Sequence, residues 1–307
     1  MKDDSALTPL DVAEILKITK NTVYELIKRG ELKGYKVGKK IRVDMKDVEE
    51  YKNCSKNNKA YNMEMVHGEL DYNNRFIISG QDIMLDIMVS HLEKNFKGFS
   101  PLRSYEGSYN GLYALYQGKV QVATAHLWDC DTGEYNVPYV KRMLPGVPAV
   151  IVHLAKRMQG FYIGKGNPKN IKGWEDLKRS DITIVNREKG SGTRVLLDEH
   201  LRKWGMIPSN IKGYGKECSS HLGIASAVSR GEADIGLGNE KSGLQVKDIE
   251  FIPLQQERYE MIIKKEDFHK LNYKAILQVI NSEDFKRDLE GIGGYDLTDM
   301  GKIIAET

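Results

Sequence analysis

A glycine-rich turn that runs into a helical pattern carries the clearest chemical signal in the sequence. The stretch NREKGSGTRVLLDEHL spans residues 186–201, and its turn consists of Gly190, Ser191, Gly192 and Thr193. Glycines let the backbone approach a ligand closely. Apolar residues then recur at helical spacing, at Leu197, Leu201 and Trp204. Because a helix N-terminus presents free N–H groups and the positive end of a dipole, this turn predicts an anion-binding site.

Three further turns have the same character, with small hydroxyl, amide or glycine residues before a helical pattern. They contribute the candidate ligand-binding residues Ser79, Gly80 and Gln81, then Ser108, Tyr109 and Asn110, and finally Ser220. Each turn taken alone is also typical of a plain helix cap. Four such turns in one domain could converge on one compact anion, but convergence is a property of the fold that spacing alone does not give.

Two charged or titratable residues and a set of aromatic residues leave the chemical identity of the ligand open. Arg194 can form a salt bridge with a carboxylate or phosphate, or it can brace its own turn by bonding carbonyl oxygens. His126 can contact the ligand or lie in the core. Trp128, Tyr109 and Tyr135 either line an aromatic cleft, which would favour an organic ligand, or pack between elements.

The N-terminal segment predicts two short helices, a hairpin and a closing helix. Thr8 and Thr19 are predicted caps, and Gly30 is predicted to end the second helix. LKGYKVGKKIRV alternates around residues 37–39, which predicts a two-stranded hairpin, and Asp44 is predicted to cap the closing helix. These elements resemble the winged helix-turn-helix of the excisionase and MerR-like group over residues 7–52.

This segment is also basic. Residues 1–59 contain 14 Lys and Arg against 10 Asp and Glu, a net +4, whereas the remainder sums to about −1. The resemblance implies that the second helix enters the major groove of double-stranded DNA and that the hairpin forms the wing. The candidate DNA-binding residues are Lys20, Asn21, Thr22, Tyr24, Lys28, Arg29, Lys39, Lys40 and Arg42. The alternative is a solvated face of a small protein-binding module.

Composition narrows the class of protein. The chain of 307 residues is 40% hydrophobic and 29% charged, which is typical of a globular protein. Its start, MKDDSALTPL, lacks the pattern of a secretory signal, and its longest apolar run, near residues 147–155, is shorter than the ~20 residues that span a membrane. Three widely spaced cysteines fit neither a disulfide framework nor a zinc site. These features predict a cytoplasmic protein that has no membrane partner and no protein-ligated metal.

After a predicted linker at residues 53–72, the pattern becomes that of an α/β domain. Short β-rich runs alternate with helical patterns: RFIISG, VQVATA, VPAVIVHLA, ITIVN, ADIGLG and IEFIPL. Alternating strands and helices predict parallel sheets covered by helices, with the ligand where strands end and helices begin.

Residues 73–307 resemble the periplasmic-binding-protein-like domain (type II) found in cytoplasmic regulators and related to molybdate-binding proteins. The likeness is carried by ISGQDIMLDIM, GSYNGLYALYQGKVQVATAHLWD, NREKGSGTRVLLDEHL and HLGIASAVSRGEADIGLG. It implies two lobes, the first at about 73–152 and 254–307 and the second at about 153–253. Ser79 and Ser108 would approach the ligand from the first lobe, and Ser191, Thr193 and Ser220 from the second.

We therefore expect an α/β protein with an N-terminal winged helix-turn-helix, which acts as a one-component transcriptional regulator rather than an enzyme. The expected partners are operator DNA, a small anionic effector and a second copy in a homodimer. No cofactor is expected, and by the resemblance the effector is molybdate or tungstate. The alternatives are a small organic effector or an oxyanion store or delivery protein.

Overall fold

The computed structural model describes residues 6–28, 32–38, 40–56 and 75–307, with the side chains of 50 and 52–56 left aside. The chain divides into two compact units, Met1–Met63 and Glu64–Thr307. Most of the predicted linker lies outside the described residues, as do Arg29, Gly30 and Lys39.

The described residues of the first unit form three helices and a three-stranded antiparallel sheet. Its elements in chain order are β1 (Ala6–Leu7), α1 (Pro9–Leu16), α2 (Lys20–Lys28), β2 (Tyr35–Val37), β3 (Lys40–Asp44) and α3 (Met45–Lys56). The strand order is β1-β3-β2, and β2 pairs with β3 around Gly38, whose φ of +61° requires glycine-like freedom. The predicted hairpin is confirmed, whereas β1 was not predicted.

Local capping explains where the first two helices begin. The Thr8 hydroxyl accepts the backbone N–H of Asp11, whose carboxylate accepts the N–H of Thr8. Thr19 accepts the N–H of Thr22 in the same way. These side chains satisfy N–H groups that have no partner within the helix. The apolar faces then form one core: Val12, Ala13, Val23, Leu26, Leu32, Val43 and Val48.

From residue 75 onward, the second unit has strands and helices in alternation. They are β4 (Ile77–Ser79), α4 (Ile83–Asn95), β5 (Leu102–Ser104), α5 (Ser108–Tyr116), β6 (Val122–Ala125) and α6 (Val137–Met143). The strands β5, β4 and β6 are parallel neighbours. Their carboxyl ends therefore lie at one edge, where α4 and α5 begin.

Two strands of 16 residues run through both halves of the second unit. They are β7 (Ala149–Gly164) and β11 (Ile249–Lys264), which pair antiparallel along their whole length with irregularities at 253–255 and 259–260. One end of β11 pairs with β6, and one end of β7 pairs with β10. These two strands therefore join the lobes into one sheet of order β5-β4-β6-β11-β7-β10-β8-β9.

The second lobe lies between the two long strands in sequence. It contains β8 (Ile184–Arg187), α7 (Gly192–Lys203), β9 (Glu217–Cys218), α8 (His221–Ser229), β10 (Ile235–Asn239) and α9 (Glu240–Gly243). Here β10, β8 and β9 are parallel neighbours. The chain then returns to the first lobe with α10 (Leu271–Ile280), α11 (Glu283–Ile292) and β12 (Ile303–Glu306), which pairs with β7.

The α/β fold class and each of the six predicted strand runs are confirmed. Apolar packing is separate for the two lobes: α4, α10 and α11 cover the first-lobe sheet, and α7 covers the second around Ile163, Ile184, Leu196, Leu201 and Leu237. Because each lobe has its own core, the cleft between them is free to be lined by polar groups.

Candidate functional site

One cavity of the second unit lies where strand ends meet helix starts in both lobes. Its volume is about 210 Å³. Residues at or near the first turns of α4, α5, α7 and α8 line it, namely Ile83, Ser108, Gly192 and His221. Four helix N-termini facing one space create a positive local potential and unpaired N–H donors. The arrangement suits a small anion.

The first-lobe wall depends on a glycine that no other residue could replace. Gly80 has a φ of +150°, and a Cβ atom there would overlap the Thr124 hydroxyl and lie 2.9 Å from the Tyr259 hydroxyl. Beside it, Ser79 is fully buried and its Oγ has no hydrogen-bond partner among the described residues. Asp82 caps α4 by accepting the N–H of Met84 at 2.8 Å. The turn thus sets backbone and hydroxyls close to the cavity.

The second-lobe wall is the glycine-rich turn before α7. Ser191 caps α7 by accepting the N–H of Arg194 at 3.1 Å, and Gly192 is the first helical residue. A Cβ on Gly192 would lie 2.6 Å from Nε2 of His126 and 2.8 Å from Oγ of Ser108. Thr193 is buried, and its hydroxyl has no partner among the described residues. The α5 and α7 starts therefore face each other across a very narrow gap.

Direct contacts between the two lobes border the cavity. The N–H of Tyr109 donates to the carbonyl of Gly190 at 2.9 Å. The amide group of Gln81 accepts from Nη2 of Arg187 at 2.6 Å and donates to Glu188 at 3.4 Å. Arg187 is 1% exposed and is also paired with Glu188. The lobes are therefore closed on one another at this edge.

A second buried arginine is neutralised within the cavity wall. Arg157 on β7 pairs with Asp82, and its Nη2 lies 2.5 Å from Oε1 of Glu257 on β11. Burial alone would lower the pKa of Arg157, but Glu257 and Asp82 raise it above its ordinary value. Burial would raise the pKa of Glu257, but Arg157 and His126 outweigh this effect and hold it at about 2. Both side chains are consequently ionised near neutral pH.

Two histidines line the cavity and have different environments. Nδ1 of His126 is 2.5 Å from Oε2 of Glu257. Burial, with the nearby charges of Arg187, Arg157 and His126, lowers the pKa of His221 well below its ordinary value. His221 is therefore neutral near neutral pH and can offer one donor and one acceptor nitrogen.

The predicted ligand-binding residues fall into two groups. Six line the cavity: Gly80, Gln81, Ser108, His126, Ser191 and Gly192. Ser79 and Thr193 adjoin this lining through Gly80 and Gly192. Tyr109 and Asn110 lie at the contact with Gly190 instead, and Ser220 caps α8 by accepting the N–H of Gly223.

Arg194 takes the second of its two predicted roles. Its Nη1 donates to the carbonyl oxygen of Arg187 at 2.9 Å and to Glu217 at 3.1 Å, while Nε donates to Asp198. These bonds connect the start of α7 to β8 and β9 and so hold the glycine-rich turn in place. Trp128 and Tyr135 also lie in the second-lobe core and not in the cavity lining.

Several lining residues were not selected from the sequence. They are Asp82, Thr124, Arg157, Arg187, His221, Asn239, Lys241, Tyr259 and Tyr295. The sequence did contain a signal for Arg157 and Glu257, because both charged residues lie within β-rich runs. A strand that is buried on both faces rarely carries a charge without a partner. The pairing of β7 with β11 places Arg157 in the cavity lining and Glu257 against Arg157.

The first unit presents a basic helix face and hairpin. Lys20, Asn21, Tyr24 and Lys28 are exposed on α2, and Lys40 is exposed on β3. The hydroxyl of Thr22 is 2.8 Å from that of Thr19 and is half-buried. The guanidinium of Arg42 donates to the carbonyl oxygen of Ile41. The exposed residues are free to contact DNA, whereas Thr22 and Arg42 already have intramolecular hydrogen-bond partners.

Comparisons with known proteins agree with both units. Residues 89–281 match the family described as PBP superfamily domain, and residues 6–53 match a helix-turn-helix domain. The Bacillus subtilis (strain 168) protein YvgK is 44% identical over 312 residues, covering 100% of both chains. A Clostridium pasteurianum protein from the ferredoxin 2Fe-2S gene 5' region is 58% identical over 112 residues, which is 36% of this chain and 99% of that one.

Solved structures share the fold at low identity. A phosphate ABC transporter substrate-binding protein with bound phosphate, from Clostridium perfringens, covers 72% of this chain and 98% of its own, at 17% identity and a TM-score of 0.54. Full-length BenM covers 94% of both chains at 11% identity and a TM-score of 0.52. No helix among the described residues is long and apolar enough to cross a membrane. Together the two domains support a DNA-binding regulator with a ligand-binding domain.

Proposed function

We infer the function from two premises: the chain belongs to the PBP superfamily domain family, and it carries an N-terminal helix-turn-helix domain. We propose that it is a cytoplasmic one-component transcriptional regulator, whose first unit binds operator DNA as a homodimer and whose second unit senses a small anion. Ligand binding in the cleft shifts the balance between open and closed lobes and thereby changes the affinity for DNA.

The observation that supports an anionic ligand is the convergence of the α4, α5, α7 and α8 N-termini on one cavity. Its volume of about 210 Å³ is below the ~300–1,000 Å³ of pockets for drug-sized ligands. Ser108 on α5 accepts the backbone N–H of His126, which leaves its own hydroxyl proton to donate into the cavity. Backbone and hydroxyl donors of this kind satisfy the oxygens of a tetrahedral oxyanion without an ion pair.

The buried carboxylates of the wall are already engaged: Asp82 with Arg157, Met84 and Tyr295, and Glu257 with Arg157 and His126. The acceptors that remain in the lining for a protonated oxyanion such as hydrogen phosphate are His221 and the carboxylates of Glu106 and Glu240. Molybdate, tungstate and sulfate are all tetrahedral and fully deprotonated near neutral pH. Among them we propose molybdate or tungstate as the effector, because the domain resembles molybdate-binding proteins, with sulfate and phosphate as the discriminating competitors.

The test is thermal unfolding of the full chain with molybdate, tungstate, sulfate and phosphate, each added separately. A ligand that binds only the folded state adds RT ln(1 + [L]/Kd), or about 2.7 kcal/mol at one hundred times Kd. We expect molybdate or tungstate to raise the midpoint, and sulfate and phosphate to leave it nearly unchanged. A shift with sulfate or phosphate and none with molybdate or tungstate overturns the choice of effector, and a shift with no anion favours a small organic ligand.

A serine variant tests whether the anion that raises the unfolding midpoint binds in the cleft. Ser108→Ala removes one hydroxyl donor to a charged ligand, so we expect a loss of about tenfold to a hundredfold in affinity. Ser229→Ala is the matched control, because Ser229 lies at the far end of α8 and donates to the carbonyl of Lys247. Equal affinities of the two variants would place the anion elsewhere.

A further inference from the structure

An exposed tyrosine stripe runs along α5, outside the cavity lining. Tyr109, Tyr113 and Tyr116 are 43%, 53% and 39% exposed, and their spacing of four and then three residues places them on one side of the helix. The opposite side, with Leu112 and Leu115, is buried in the first lobe. The helix SYNGLYALY carries no charge, although 29% of the chain is charged. An exposed helix side that is aromatic and uncharged is typical of the centre of a protein–protein interface.

The face of the sheet on which α5 packs is also uncovered over the strand β5. Arg103 pairs with Asp86 on α4, so Leu102, the residue before it, points to the other face of the sheet. Leu102 lies beside Ile77 in the register of β5 with β4, and Ile77 contacts the core under α5. Leu102 itself is 49% exposed, and β5 is an end strand of the sheet among the described residues. The exposed face therefore includes apolar sheet surface as well as the helix.

The order of residues along α5 fits a second copy of the same helix. Tyr109 and Tyr116 lie at equal sequence distances from the midpoint between residues 112 and 113, and Tyr113 lies next to that midpoint. Glu106 and Lys119, which are both exposed, flank the helix at equal sequence distances from the same midpoint. In a two-fold contact, residue i meets residue j of the partner and j meets i. Two antiparallel copies of α5 would therefore bring each glutamate to the partner's lysine and the N-terminus of each helix to the C-terminus of the other.

The available surface suits the centre of such an interface. At ~200 Å² for a whole tyrosine side chain, the three partly exposed tyrosines offer roughly 300 Å² per copy, against the ~800 Å² per partner that a stable interface buries. Leu102 and the exposed Asn110 and Gln117 of α5 and its end add to this area. The tyrosines would thus form the apolar centre, and the amides and flanking charges the polar rim.

We propose that a second copy of this chain binds this face, with α5 packed antiparallel against α5 of the partner across a two-fold axis near Tyr113. This inference rests on the proposed homodimer and names the surface that forms it. The two tyrosine stripes pack together at the axis, and Glu106 pairs with Lys119 of the partner subunit at both ends. A two-fold dimer supplies two helix-turn-helix units for two half-sites of an operator. Ser108 on the same helix lines the cavity, so the interface helix also reaches the ligand site.

The first experiment is sedimentation velocity of the full chain without DNA, which measures the dissociation constant of the dimer over a range of concentrations. Tyr113→Glu places two carboxylates near the axis, so we expect that constant to rise by about tenfold or more. Ile207→Glu is the matched control, because Ile207 is an apolar residue of the second lobe that is 61% exposed, and we expect the dimer to be unchanged. Circular dichroism checks that both variants are folded.

Exchange of the flanking charges tests the antiparallel arrangement. Lys119→Glu turns two attractive pairs into repulsive ones, so we expect the dissociation constant of the dimer to rise by about threefold to tenfold, and Glu106→Lys alone should have the same effect. The double variant again has opposite charges at each end, so its dissociation constant should return to within about twofold of the unaltered protein. A residue that acts only within its own chain would not show this rescue.

A cysteine at the axis gives a readout that does not depend on weakening the dimer. Tyr113→Cys should form a disulfide-linked dimer on mild oxidation, because two copies of a residue at the axis lie within the ~4–7 Å between Cα atoms that a disulfide requires. Ile207→Cys carries the same native cysteines and measures the background of other links.

The outcomes separate this inference from the proposed function. A dimer that is unchanged in Tyr113→Glu, that shows no rescue in the double charge variant or that gives no link in Tyr113→Cys overturns this interface and leaves the homodimer and the anion sensor standing. A full chain that stays monomeric at every concentration overturns both the interface and the proposed homodimer. If Tyr113→Glu does not fold, the cross-link decides.

The choice of anion is tested separately, by the unfolding midpoint, so its failure does not bear on the interface.

Discussion

At the scale of single residues, Arg194 shows how two roles that look alike in sequence are separated by geometry. Its place directly after a glycine-rich turn suits a ligand contact, but its guanidinium bonds the carbonyl of Arg187 and the carboxylates of Asp198 and Glu217. The cavity is lined instead by Arg157 and Arg187. Sequence spacing does not show that Arg157 and Arg187 line the cavity while Arg194 does not, because the direction of each side chain depends on the strands of the folded sheet.

Replacement of Arg194 should therefore lower stability more than affinity. Arg194→Met leaves the buried carbonyl of Arg187 without its donor, which costs about 1–3 kcal/mol of unfolding free energy. Denaturant unfolding measures this loss, and calorimetry with molybdate on the folded variant should show less than about a fivefold change in Kd. Arg230→Met removes an exposed pair with Glu232 and serves as the control, with little expected change in stability because water screens an exposed ion pair. A large loss of affinity at unchanged stability would restore Arg194 as a ligand contact.

At the scale of elements, the starts of α5 and α7 bring the two lobes into close contact. Gly107 and Gly192 provide the space, since a Cβ on Gly107 would lie 2.6 Å from the carbonyl oxygen of Gly190. The long strands β7 and β11 connect the same two lobes and contribute Arg157 and Tyr259 to the cavity lining. A ligand held between the helix starts would thus stabilise the closed arrangement.

Gly192→Ala tests this element directly. The added methyl group would meet Nε2 of His126 and Oγ of Ser108, so we expect molybdate affinity to fall by at least tenfold, with a larger radius of gyration in small-angle scattering. Gly215→Ala is the control, because a Cβ there meets nothing within 4 Å. Unchanged affinity in Gly192→Ala would mean that the ligand does not need this closed contact.

At the scale of the whole molecule, the two units divide the chemistry between them. The exposed basic and polar residues of α2 are on the first unit, and the cavity is on the second. A regulator requires both, whereas a store or delivery protein would not bind its upstream DNA in a sequence-selective and salt-dependent way.

Two substitutions on α2 should therefore separate positioning from base recognition. Lys28→Ala should weaken binding to operator and random DNA alike and lower the salt slope by about one, since one phosphate contact is lost. Asn21→Ala should reduce the preference for operator by about 1–3 kcal/mol. Fluorescence anisotropy at several salt concentrations measures both effects. Lys94→Ala, which removes an exposed positive charge from the second unit, should change neither the DNA affinity nor the salt slope.

The local chemistry of the chain was sufficient to predict the two-helix, hairpin and closing-helix order of the first unit and the alternating strands and helices of the second. These features depend on caps, turns and apolar periodicity within a few residues, as at Thr8, Gly38 and Ser191. The inward position of Arg157 and Glu257, the outward position of Ser220 and the pairing of His126 depend on strand register and lobe closure. Register and closure are set by contacts between residues far apart in sequence, so only the folded chain decides them.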